Sequence, residues 1–146
     1  SHRFRPLSHA WIDDSRAPIY TLTYPASPSD DEVVARNEEI YTWYRALDHR
    51  IAWVVDCTKL LQAGARTRHL QAQHVARIEP YAARWDVCDA FVIDSSLVRG
   101  YLTAVFWFAP PPYEYQLFPT VPLAFDWVYQ KFAADSSGSA ERHGTR

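Results

Sequence analysis

Arg50-Ile51-Ala52-Trp53-Val54-Val55-Asp56-Cys57 and, further along, Ala90-Phe91-Val92-Ile93-Asp94 each contain a short continuous apolar run closed by an aspartate. Such runs suit strands buried on both faces, as in parallel sheets covered by helices. Between them, Leu70, His74, Ile78, Tyr81 and Trp85 fall on one helical stripe that begins at about Arg66. Strand, helix and strand in this order imply a right-handed crossover between parallel neighbours. Asp56 and Asp94 are then expected at one rim of the sheet, where loops leaving carboxyl ends of strands line the usual binding crevice. Pro80 predicts a kink in the intervening helix, or a split in its last turn.

Working towards the N-terminus, Ser29-Asp30-Asp31-Glu32 is a capping box, and Val33, Ile40, Tyr44 and Leu47 recur at helical spacing to about His49. Upstream, His9–Ile12 and the alternating, β-rich Pro18–Tyr24 form an expected hairpin around a polar turn. Towards the C-terminus, Ser95 or Ser96 caps a helix running to about Phe108. Being apolar nearly all round, it is expected to be largely buried. Pro110-Pro111-Pro112 reads as a rigid connector to a short strand, Glu114–Phe118, and Thr120 caps a last helix with Leu123, Phe125, Trp127, Val128 and Phe132 as core candidates. The order is ββαβαβαβα: an α/β fold with a single mixed, mostly parallel sheet, an N-terminal antiparallel hairpin and helices packed on it. Residues 1–8 read as a loose lead-in, 9–133 as the domain, and the polar 134–146 as a disordered tail.

Composition narrows the classes. The 146 residues are 48% hydrophobic and 15% aromatic, ample for one core, and the formal net charge of −2 lacks the basic footprint of a nucleic-acid binder. No apolar run reaches the roughly 18 residues of a membrane span. Arg3 and Arg5 are not followed by an apolar signal segment, so a cytoplasmic location is expected. With only four Gly there is no phosphate-cradling loop, and no paired Cys/His spacing suggests zinc; neither cofactor nor metal is expected. Cys57 reads as a small buried residue rather than a nucleophile, and Cys88 belongs at the opposite end of the strands, too far for a disulfide. Asp56 and Asp94 could hold Mg²⁺, but more simply cap their loops, and Arg99 is placed to pair with Asp94. Tyr41, Trp43 and Tyr44 crowd one helix; at most two can face the core together, which leaves an aromatic for a partner patch or a homodimer.

The segments Ala90–Ser96 (AFVIDSS), Leu97–Thr120 (LVRGYLTAVFWFAPPPYEYQLFPT) and Ala124–Val128 (AFDWV) carry a resemblance to the SpoIIAA-like branch of the STAS family, also labelled STAS/SEC14-like, over about residues 10–133. The resemblance implies a bacterial, non-enzymatic regulatory or adaptor domain. Better-understood relatives dock on a kinase or anti-sigma factor through the loop after a central strand and the start of the next helix. A Ser in an Asp-Ser-Ser-Gly motif there is phosphorylated to break the contact. The matching segment here is Asp56–Thr67, which lacks that motif; Thr58 and Thr67 are its nearest hydroxyls and the possible phosphorylation sites. The expected partner-binding residues are therefore Asp56, Thr58, Lys59, Arg66 and Thr67, with Tyr41 and Trp43 as a second patch. The SEC14-like label implies an alternative, a carrier of a small apolar ligand or lipid, which needs an apolar cavity around the third helix and final strand.

Overall fold

The computed structural model describes the backbone of residues 3–144 and the side chains of residues 3–137. Its elements are β1 (Ile12–Asp13), β2 (Ile19–Thr23), α1 (Asp30–Arg45), β3 (Ile51–Asp56), α2 (Ala65–Trp85), β4 (Asp86–Val92), α3 (Ser96–Phe108), β5 (Glu114–Phe118) and α4 (Val121–Gly144). One sheet holds the five strands in the order β1-β2-β3-β4-β5. β1 is antiparallel to β2 and every other pairing is parallel, as the element order predicts.

Alternation along the strands sorts residues between two layers. Trp53 and Val55 join Tyr20, Leu22 and Phe91 on the face covered by α1, α2 and α3. Ala52 and Val54 join Cys88, Ala90 and Val92 on the other face, against Ala124, Phe125 and Val128 of α4. The small residues of that second face let α4 approach the central strands closely, while the bulky first face fills the wider space beneath three helices.

α1 starts where the capping box places it. Ser29 Oγ accepts from the Glu32 backbone N–H (3.1 Å), and Glu32 returns the bond to the Ser29 N–H (2.9 Å). Ser29→Ala should lower stability by about 1 kcal/mol in urea unfolding. No change would mean that packing alone sets this helix start.

Several expectations are corrected. α2 runs unbroken through Pro80. Pro80 and Ala76, whose carbonyl Pro80 cannot serve, both lie on the exposed side of the helix. β4 begins at Asp86, ahead of the apolar run. α3 is not largely buried: only Val98, Leu102 and Val105 are fully buried, with Tyr101 and Phe106 partly so, because no further helix flanks it beyond α2, and Leu97, Trp107 and Phe108 stand exposed. The tail expected to be disordered continues α4 to Gly144. Asp135 is clamped by Arg50 (2.9 Å), and Ala134, Ala140 and Glu141 are good helix formers. Residues 145–146 of that tail lie outside the described residues.

Candidate functional site

The carboxyl rim of the sheet is where the sequence placed the site. Asp56 pairs with Val92 across β3 and β4, and Asp94 lies just past that strand end, so both acids share one rim. The rim is knitted by the backbone: Cys57 N–H donates to Val92 O (2.9 Å) and Ile93 N–H to Phe118 O (2.9 Å). Asp56 turns into its own loop and accepts from the Thr58 N–H (3.0 Å) and hydroxyl (2.7 Å). It therefore fixes the turn that leads to Lys59, which is exposed. Arg99 forms no ion pair with Asp94 among the described residues, and no three potential metal ligands cluster there.

At the start of α2, Arg66 Nε reaches Asp30 Oδ2 (3.3 Å) in an exposed pair, the kind that contributes little and exchanges readily. Thr67 is buried and donates to Asp30 Oδ1 (2.9 Å). Thr67 is thus a strut between α1 and α2 rather than an accessible phosphate acceptor, and a phosphate there would face Asp30. The second patch is also corrected: Trp43 is buried, edge-on to Tyr20 and Tyr44, because it and Tyr44 take the two core-facing places. Tyr41 is half-buried beneath the Arg77 guanidinium, 3.6 Å from its ring centroid. Cys57 and Cys88 are buried and unlinked. Burial, with Asp56 nearby, pushes the Cys57 thiol up to about 12, so at neutral pH it is not a thiolate.

The rim extends onto a surface that the sequence reading missed. Leu61 and Leu97, each 68% exposed, line a groove of about 140 Å³ together with Arg68 and Tyr101. Beyond it, a shallow groove of about 480 Å³ between α2 and α3 is lined by Ala65, His69, Ala72, Ala104 and Phe108. Phe108, one of those lining residues, is 80% exposed, as is the neighbouring Trp107. Arg68 lines both grooves and no carboxylate lines either. Lys59, Arg66 and Arg99 are exposed nearby, as is Asp94, with Asp30 partly exposed. The spacing 97, 101, 104, 108 on an apolar helix with one charge was the available signal.

A second feature lies inside, beneath α1, α2 and α3. A cavity of about 70 Å³ is walled mainly by apolar residues such as Ile78, Leu102 and Val105, with Gln71, His74, Tyr101 and Asp89 among its polar neighbours. Binding sites for drug-sized ligands measure about 300–1,000 Å³, so a cavity of this size has no room for a lipid.

The architecture is that of an α/β domain with a SpoIIAA-like fold. A solved structure with that fold, an uncharacterized DUF3478-family protein from Shewanella loihica PV-4, superposes with a TM-score of 0.54 at 14% identity, over 80% of this chain and 89% of that one. No family model matches the chain, and no curated protein is a significant relative. No helix among the described residues is long and apolar enough to cross a membrane.

Proposed function

We propose that the protein is a non-enzymatic docking module of STAS type, and that it receives an acidic, amphipathic segment of a partner protein on the rim and outer face of α2 and α3. The observation that supports this reading is the exposed Leu61, Leu97 and Phe108 lining two grooves that share Arg68 and are lined by no acid, with Lys59, Arg66 and Arg99 exposed nearby. Exposed aromatic and aliphatic anchors supply contact energy once dehydrated. Surrounding cations steer an acidic partner and reject a basic one. Lys59 is held out by the Asp56–Thr58 turn, and the weak Arg66–Asp30 pair can be exchanged for a partner carboxylate. Partner switching by phosphorylation is best sought at Thr58, since Thr67 is buried.

The test compares wild-type protein with Leu97→Asp/Phe108→Asp and with Lys59→Glu/Arg66→Glu, each verified as folded by circular dichroism. A protein captured from the source cell, identified by mass spectrometry and rebound in purified form, should lose at least tenfold in affinity with either variant, and the charge reversal should mainly slow association. A partner that binds both variants as well as wild type would refute the assignment of this face.

A further inference from the structure

Asp89 stands on the face of the sheet that α1, α2 and α3 cover. It is in register with Trp53 of β3, and Phe91 follows on the same side of β4, so an acid sits between two aromatic core residues. Asp89 is 5% exposed, and its Oδ1 is buried without a donor. Burial holds Asp89 and its neighbour Asp86 above the ordinary carboxylate range, and at pH 8 the pair keeps one proton and carries one negative charge. A buried charge without a counter-charge costs several kcal/mol. Yet no Lys, Arg or His among the described residues lies within 4 Å of either carboxyl. Arg50, whose charge reaches Asp86, is committed to Asp135 and to the Arg84 carbonyl.

Asp89 lines the internal cavity, and Tyr44, Trp53, Phe91, Phe106 and Tyr113 share that lining. The faces of such rings attract cations, most strongly where water is excluded. The completely buried Arg36 acts on other members of the wall, Tyr24, Cys57, His74 and Tyr101, whereas Asp86 and Asp89 act on Tyr44 and Tyr113. A cation is therefore favoured beside the second group. His74 adds no competing charge, because burial, with Arg36 and Arg77, holds it well below its ordinary range.

We propose that this cavity binds a small alkylammonium ion, whose N–H donates to the free Asp89 oxygen while its alkyl groups rest against Trp53, Phe91 and Phe106. The shared proton passes to Asp86 on binding, which leaves the negative charge facing the cation. Charge, wall and volume select that chemistry. One monovalent cation balances the single charge of the carboxyl pair. A divalent metal needs more oxygen ligands than one carboxylate supplies, and no three candidate ligands cluster among the described residues. Bare ammonium has no apolar surface to bury against the rings. An apolar cavity of about 150 Å³ takes benzene, so one of about 70 Å³ suits an ion of about three heavy atoms. Leu60, Val98 and Tyr101 line both this cavity and the rim groove, so one layer of side chains separates it from solvent.

The experiment titrates the purified protein at pH 8 with dimethylammonium and ethylammonium chlorides, with ammonium chloride, sodium chloride and ethanol as controls. It follows calorimetric heat and the ring resonances of Phe91 and Tyr113. Saturable one-to-one binding of an alkylammonium ion is expected, at least tenfold tighter than that of ammonium, sodium or ethanol. Asp89→Asn keeps the shape, removes the charge that faces the cavity and should abolish binding. Val75→Phe fills the cavity while keeping both carboxyls, and should abolish it too; circular dichroism verifies that each variant is folded. Absence of saturable alkylammonium binding, equal binding of ethanol, or binding retained by either variant would overturn the assignment and leave the cavity to water.

Discussion

Trp43→Ala should destabilise the protein by about 3–5 kcal/mol, the usual cost of deleting a buried tryptophan. At this chain length that lowers the unfolding midpoint by roughly 10 °C. Trp43 sits at the centre of an aromatic cluster: its ring centroid lies 4.9 Å from that of Tyr20, 5.2 Å from Tyr44 and 5.8 Å from Trp53. These edge-on contacts tie α1 to β2 and β3 and add to plain area burial. Tyr41, two residues earlier, is half-buried and held mainly by Arg77 and Tyr81, and its replacement by alanine should cost only about 1 kcal/mol. Because Trp43 Nε1 is buried without an acceptor, Trp43→Phe removes an unmet donor as well as volume, and should cost far less than alanine. Urea unfolding of the three variants checks the ranking. Equal losses for Trp43→Ala and Tyr41→Ala would contradict the placement of Trp43 in the core.

The same pair of residues shows what was legible in the sequence. Crowding of Tyr41, Trp43 and Tyr44 announced that not all could be buried, but which one faced outward depends on how α1 is rotated against the sheet. The central strands were legible because they are apolar on both faces, and α1 because its cap is local chemistry. Shared placement of Asp56 and Asp94 followed from parallel pairing alone. Arg36 was hidden by its type rather than its position, since the spacing of Val33, Arg36 and Ile40 puts it on the apolar stripe. The outer face of α3 was misread because a helix that is apolar all round signals burial only when neighbours exist to bury it, and the layer ends there. Least legible was the pairing of Asp86 with Asp89. Three residues apart on a strand, they should point to opposite faces. A bulge, seen as a register shift beside Ile51 and Ala52, turns both beneath α1.

That buried pair leads to the second expectation: stability should fall, not rise, as pH increases from about 4 to 8. Asp86 and Asp89 are both buried. Asp86 Oδ1 accepts from the Tyr44 hydroxyl (2.6 Å), which in turn accepts from Trp53 Nε1 (3.0 Å), while Asp86 Oδ2 and Asp89 Oδ1 have no ordinary donor. Burial pushes Asp86 up to about 7, against hydrogen bonding from Asp89 and Tyr44 and the Arg50 charge, which favour its ionised form. Burial, reinforced by Asp86, holds Asp89 well above the usual carboxylate range beside the Tyr113 hydroxyl. A proton kept on Asp89 gives Asp86 the donor it lacks. The sign follows from linkage: between the unfolded and folded values the native state binds more protons, so raising pH favours unfolding. The rise of Asp86 from 3.8 to about 7 corresponds to a loss on the order of 4 kcal/mol over that interval. Asp89→Asn keeps the shape, supplies a permanent N–H towards Asp86 and removes a charge. It should flatten the profile and make the variant the more stable protein at pH 8, although it is the less stable or equal at pH 5. Urea midpoints of both proteins at the two pH values decide the matter. A wild-type midpoint that climbs towards pH 8, or an Asp89→Asn profile as steep as wild type, would show that the two carboxyls do not share a proton in the folded core.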